Sequence, residues 1–436
     1  MRRMNRRRLV TEAVAVGAAV SAGTPASAES LPTLNAPAVI SAQNAPVEIV
    51  FAHIWGTPPG EESDAKHPAE QVIDAFNEQQ SDVRVVGRTD STDYYELLQK
   101  VQAELAAGDP PALVITPWAS INYAYEGLGI VALEDIAGEA EVAEVFGNLR
   151  EEVIPLVQTD GKTVGLPYAF SCPVLYFNAD VFAEAGVRPE EFFESWSSFS
   201  TMAPTLQETL DGNPVIGFSS RGWVAQSIIQ CNGGEVMNDE NRPAMDGPES
   251  VEAMRTIADL DAAGLYDRSA IAQIRPSFEG GSIAVYQGSI ASLGGLTRSV
   301  DFDLQTAAFP VFEGKDRRMA SGGSFIGIYA REEEQQQAAW EFLKFALSEE
   351  AFSIWMQTGY LNAARYELPM LEGQEAAYTQ LEEGLTRETA WPTARGGELK
   401  VVWDSYVERI WANDIDTEEG CEAAADEINA IIDAQG

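Results

Sequence analysis

The sequence predicts an α/β protein built in two domains, with strands alternating with helices along the chain. Three observations lead there. Short apolar runs of strand length alternate with stretches whose apolar residues recur at helical spacing, the pattern of parallel sheets with crossover helices. The 436 residues amount to about two to three typical domains. Apolar residues make up 45% and charged residues 22%, a balance that supports packed cores rather than disorder.

The elements follow in order. Met1–Arg8 carry five arginines, Leu9–Gly23 are mildly apolar, and Ala26-Ser27-Ala28 close the segment, so residues 1–28 read as a secretory signal cleaved after Ala28. Asn5-Arg6-Arg7-Arg8-Leu9-Val10 resembles a twin-arginine export signal, with an ordinary export signal as the alternative. Residues 29–46 mix Pro, Ala, Ser and Asn without a period and read as a flexible leader. Val47–Ala52 is a strand, and Ala69, Val72, Ile73 and Phe76 mark a helix. Val83–Val86, a helix around Tyr94–Ala106, and a buried strand at Ala112–Thr116 follow. Further on come a strand at Val174–Phe177, a helix over Ala179–Ala185, and another marked by Trp196, Phe199, Ala203 and Leu206. Strands at Ile216–Phe218, Ile283–Tyr286 and Phe325–Ala330 bracket a helix at Ser250–Ala263, and Glu332–Trp355 is helical with Ser348 capping its second half.

Charge and motif content narrow the function. Lys and Arg number 28 against 68 Asp and Glu; without residues 1–28 the balance is 23 − 67, or −44. Such acidity disfavours nucleic acid and anionic membranes as partners. Beyond the signal no run reaches the ~20 apolar residues of a membrane helix, so a soluble, periplasmic protein is expected. The two histidines, His53 and His67, form no zinc motif, and neither a nucleophile elbow nor a phosphate-binding loop is present. No cofactor, no metal and no catalytic residue are expected. An exported glycoside hydrolase is a distant alternative, resting only on secretion and abundant carboxylates. Cys172, Cys231 and Cys421 are an odd set, and Cys172 with Cys231 is the one pairing worth considering.

Four motifs in order carry a family resemblance. They are Ala103–Ala112 leading into Leu113–Thr116; Gly165-Leu166-Pro167-Tyr168 through Pro173–Asn178; Gln230-Cys231-Asn232-Gly233-Gly234; and Ala339–Phe345 through Thr358-Gly359-Tyr360-Leu361-Asn362. Together they resemble the extracellular solute-binding proteins (family 1) of binding-protein-dependent ABC importers, over residues 47 to about 434. The resemblance implies a periplasmic-binding-protein fold, two doubly wound lobes joined by a hinge of about three crossings. It implies an N-terminal lobe of 47–168 plus 312–358 and a C-terminal lobe of 172–308 plus 362–436. It also implies a monomer that is not an enzyme, with a small-molecule ligand and a membrane permease as its partners. Ser171 before Pro173–Asn178, and Gly222-Trp223 ahead of Gly234, look most like the glycerol-3-phosphate-binding branch.

Carried over residue by residue, that branch nominates Tyr94, Ser171, Trp223, Ser289, Gly323 and Tyr360 for the cleft, with Arg395 on a phosphate. Trp118 stands where the branch has a glutamate for glycerol hydroxyls, and its ring at a strand end suits a sugar face or a choline cation. Glycerol-3-phosphate or a glycerophosphodiester is the expected ligand, and a mono- or oligosaccharide is the alternative. Trp196, Trp340 and Trp355 lie on helical periods and are expected in the core; Trp55 is assigned to neither core nor cleft.

Overall fold

The computed structural model describes residues 45–56 and 66–434; the segment 1–28 read as an export signal, nearly all of 29–46 read as a leader, and residues 57–65 lie outside them. The chain begins with β1 (Val47–Ala52), α1 (Pro68–Gln79), β2 (Val83–Arg88), α2 (Tyr94–Ala107) and β3 (Leu113–Pro117). The four residues that predicted α1 are the four it buries, and His67 caps it by accepting from the Ala69 N–H at 3.1 Å. Asp93 caps α2 through the N–H groups of Tyr95 and Glu96, and Gly108 ends it in the left-handed region.

The chain then runs through β4 (Leu166–Ser171) straight into β5 (Pro173–Asn178), with Cys172 alone between them. β6 (Ile216–Phe218), α3 (Arg221–Cys231), β7 (Val285–Ser289) and β8 (Leu304–Ala307) follow, and then β9 (Gly322–Ile328). α4 (Glu333–Ala346) and α5 (Glu349–Trp355) are broken at Ser348, whose hydroxyl accepts from the Ala351 N–H. A final long pair begins with α6 (Gly396–Trp411).

These strands form two sheets. The first has the order β2-β1-β3-β9-β4, parallel among β1, β2 and β3, with β9 antiparallel to both its neighbours. The second has the order β8-β5-β7-β6. Each is covered by helices, so the molecule is the mixed α/β, two-lobed fold expected. The lobes are tied by the β4–β5 passage, by the stretch from β8 to β9, and by the segment after α5, where the Leu361 N–H donates to the Phe170 carbonyl at 2.7 Å.

Two expectations shift in the structure. β7 opens at Val285, because the Ala284 and Val285 N–H groups both reach the Val215 carbonyl and bend the entry. β9 opens three residues early, with Gly322 and Gly323 already paired to Ser171 and Phe170. At Gly323, with φ +113°, a Cβ would lie 1.6 Å from the Ala169 carbonyl oxygen, so only glycine lets the two strands meet there. Trp196, Trp340 and Trp355 are core residues, exposed by 3% or less. All three cysteines are free and buried. Cys172 does not pair with Cys231: the first lies against Gln380 at the β4–β5 passage, the second against Met319 and the Arg318 carbonyl.

Candidate functional site

Where the lobes face each other, a cleft of about 720 Å³ opens beside the ends of β3, β4, β7 and β9. Ligands of doubly wound sheets lodge beyond strand ends for a topological reason: neighbouring connections diverge there.

The floor is built by the crossings. Ser171, at the end of β4, and Ser289, at the end of β7, put their hydroxyls 2.6 Å apart across the passage between lobes. Ser289 is held by the turn it caps, accepting from the Ala291 N–H, and its carbonyl accepts from the Tyr176 hydroxyl at 2.8 Å. Trp223, at the start of α3, lies directly on Gly322, where any Cβ would strike its ring at 2.1 Å.

One wall is aromatic. Tyr94 and Tyr95 open α2, and the Tyr94 hydroxyl meets the Ser324 hydroxyl at 3.0 Å. Trp55 and Tyr360 flank Trp355 from two sides, at 4.7 Å edge-on and 5.2 Å stacked, and Tyr168 stacks on Trp355 at 4.3 Å. His53, stacked 5.8 Å from Trp55, is itself buried against Glu70 with its Nε2 3.0 Å from the carboxylate. Trp55 is 6% exposed, lines the cleft, and its Nε1–H has no acceptor within hydrogen-bond geometry among the described residues.

The opposite wall is charged. Arg221, Glu388, Lys400, Asp404 and Glu408 all line it. Arg221 is 9% exposed; it reaches Glu408 at 3.0 Å and donates to the Ser269 carbonyl. Lys400 pairs with Asp404 one turn further along α6, and its ammonium sits 4.8 Å over the Tyr95 ring, touching the aromatic wall. Both cations of the cleft are thus already matched by carboxylates. With Asp93 the lining holds four acids against two cations. Burial pushes the Glu388 carboxyl up to about 8, Lys400 opposing and Asp404 adding to the rise.

Of the eight residues that the sequence nominated, Tyr94, Ser171, Trp223, Ser289, Gly323 and Tyr360 are brought together in this cleft. Trp118 and Arg395 are not. Trp118 is fully buried, stacked on Phe325 at 5.9 Å, with Nε1 close under Gly323, so it supports the floor from beneath. Arg395 is the residue before α6; it is half-exposed, ion-paired with Glu398, and outside the cleft lining. Unforeseen were Tyr95, Arg221, Glu388, Lys400, Asp404 and Glu408. Among the described residues no three His, Cys, Asp or Glu side chains are placed to hold a metal, and no helix is long and apolar enough to cross a membrane.

Comparison with known proteins matches this geometry. A family profile described as bacterial extracellular solute-binding protein fits residues 71–377. The sn-glycerol-3-phosphate-binding periplasmic protein UgpB of Pectobacterium atrosepticum is 23% identical over 403 residues, 83% of this chain and 87% of the relative. Among solved structures, UgpB from Mycobacterium tuberculosis in complex with glycerophosphocholine superposes with a TM-score of 0.75 at 21% identity, covering 90% of this chain and 99% of that one. The cyclic alpha-maltosyl-1,6-maltose binding protein from Arthrobacter globiformis superposes with a TM-score of 0.72 at 20% identity, covering 89% and 99%. At these identities the structures establish the fold alone.

Proposed function

We propose that this chain, which belongs to the bacterial extracellular solute-binding protein family, holds a neutral sugar or polyol in the cleft between its lobes. The family fixes the broader role: it is the substrate-binding component of an ABC importer, it hands a small molecule to a membrane permease, and it is not an enzyme. Export through the segment 1–28, by the twin-arginine route, and release as a periplasmic monomer complete the reading.

One observation carries the choice of ligand. Arg221 and Lys400, the two cations of the cleft, are both paired with carboxylates of the protein, while five aromatic rings and a ring of hydroxyls remain available. A phosphate dianion would have to share those cations with the protein's own carboxylates and join a lining with surplus acid. A polyhydroxylated ligand meets what is there: ring faces for its C–H surfaces, and Ser171, Ser289, Tyr94 and the Trp55 N–H for its oxygens. Closure of two lobes on a hinge would bury it.

A second reading keeps glycerol-3-phosphate or a glycerophosphodiester, favoured by what the UgpB relatives bind. It requires Arg221, whose Nε–H has no partner among the described residues, to serve the phosphate and Glu408 together. A thermal-shift panel separates the two. A ligand at a hundred times its dissociation constant stabilises by about 2.7 kcal/mol. Neutral mono- and oligosaccharides or polyols are expected to raise the melting temperature; stabilisation by the phosphates alone would reverse the order, and silence from every class would refute both.

A further inference from the structure

The first turn of α3 carries buried polar atoms that the protein leaves without partners. The Arg221 guanidinium is held at its two outer nitrogens, one donating to Glu408 at 3.0 Å and the other to the Ser269 carbonyl. Its Nε–H has no acceptor among the described residues, although the side chain is nine-tenths buried. Trp223, two residues on, brings a second buried N–H in the same condition. A third such atom meets this turn from α6. Asp404 gives one carboxylate oxygen to Lys400, while the other, Oδ1, is buried and unpartnered. Oδ1 lies against Gly222, so closely that a Cβ there would overlap it. The crossing of the two helices is pinned on either side of Asp404: the Trp403 indole donates to the Gly222 carbonyl at 3.1 Å, and Glu408, one turn further on, takes Arg221. Arg221, Trp223 and Asp404 all line the cleft.

A buried polar atom without a partner is costly, and a binding site that keeps several is completed by what it binds. The two N–H groups call for an oxygen that accepts. Asp404 Oδ1 calls for a group that donates. An ether or phosphodiester oxygen meets the first need and not the second; an ammonium meets the second and not the first. A hydroxyl meets both, because it accepts and donates at once.

Resting on the carbohydrate or polyol reading above, we propose that the crossing of α3 and α6 is a hydroxyl-reading subsite, in which one ligand hydroxyl accepts from the Arg221 Nε–H and donates to Asp404 Oδ1. Arg221 and Asp404 are then the specificity-determining pair of the charged wall. Glu408 and Lys400 hold the two readers in place, and the Trp223 N–H serves the next oxygen of the same ligand. The ion pairs survive binding, since the atoms that read the hydroxyl are the ones the pairs leave over.

The test is a cycle of protein and ligand changes, read by calorimetric titration at pH 7.5. A thermal-shift panel of glucose, galactose, mannose, maltose, sorbitol and ribitol first selects the compound that stabilises the chain most. The hydroxyls of that compound are then removed one at a time in its monodeoxy derivatives. R221M keeps the buried stem and removes the Nε–H; D404A removes the acceptor. Each variant is expected to bind the selected compound about tenfold or more weakly, as loss of a hydrogen bond to a charged group warrants. One monodeoxy derivative should lose a similar factor on the unchanged chain, and should then bind the chain and both variants within about twofold of one another. The same hydroxyl must cancel the cost of both substitutions. Melting temperatures of the unliganded variants report their folding, and if one is unfolded the cycle with the other decides alone. Full affinity in either folded variant overturns the proposal, as do losses that no single hydroxyl cancels or that two different hydroxyls cancel. In each of these cases the sugar or polyol still binds, and the carbohydrate reading stands. Silence from all six compounds refutes that reading and the proposal with it.

Discussion

The two walls of the cleft obtain their shape in opposite ways. On the side of α2 and β1, Trp55 and Tyr360 are held by packing, with Trp355 as the shared support and His53 and Tyr168 closing the cluster, while the Tyr94 hydroxyl is tied to Ser324. On the side of α3 and α6, Arg221, Lys400, Asp404 and Glu408 are held by charge, each cation matched before a ligand arrives. A packed wall is rigid because aromatic rings in contact have few alternatives. A charged wall is more adjustable, because the carboxylates Glu408 and Asp404 are partly exposed and can yield their cations to ligand contacts. The difference divides the labour: one wall sets the shape of what is bound, and the other sets its charge.

Changes to the packed wall should have the larger consequences. Trp355→Ala removes the fully buried indole on which three rings rest, and a destabilisation of about 3–5 kcal/mol is expected in denaturant unfolding. A loss below about 1 kcal/mol would show that the stack is not what holds this wall. Trp55→Ala should weaken sugar or polyol binding by about 2 kcal/mol or more, near thirtyfold by titration, as loss of a buried aromatic anchor does. Unchanged affinity would put the ligand elsewhere in the cleft.

The charged wall should show itself through pH. Glu388 holds its proton from the usual carboxylate range up to about 8 in the folded chain, so the folded state binds more protons than the unfolded one between those limits. Its contribution to the stability of the unliganded protein is therefore complete below about 4.5 and lost as pH rises towards 8. Melting temperatures of the parent and E388Q should diverge across that window, with E388Q flatter; parallel curves would mean that the carboxyl is well solvated. The smallest effect is expected at Arg395. Its exposed pair with Glu398 is worth about 0–1 kcal/mol, and Arg395→Ala should leave ligand affinity unchanged. A marked loss for a phosphate ligand would restore the role that the sequence alone assigned it.

These walls differ in legibility too. The packed side was readable because period and burial coincide: Ala69, Val72, Ile73 and Phe76 define α1 and are its buried face. Ser171 and Tyr360 were reachable through the motifs at the crossings, and Tyr94 through the family resemblance alone. The charged side was not, because in a chain with 68 acids no spacing singles out Glu388 or Asp404. A signal for α6 did exist: Leu399, Trp403, Val407 and Ile410 recur at helical spacing and are all buried, which places Lys400 and Asp404 together beside that stripe. Trp118 and Arg395 were misplaced for a different reason. Position after a strand or before a helix gives neighbourhood along the chain, whereas facing a cleft depends on which side of β3 or α6 the side chain leaves.

Cys172, the lone residue between β4 and β5, has a consequence for kinetics. Burial raises its thiol to about 12, so it is unreactive while the passage stays packed against Gln380. Any opening that separates the two sheets must pull on this residue first, since it is their shortest covalent link. Its rate of alkylation, read peptide by peptide against Cys231 and Cys421, is therefore a built-in clock for the hinge. A bound ligand that keeps the lobes together would slow it.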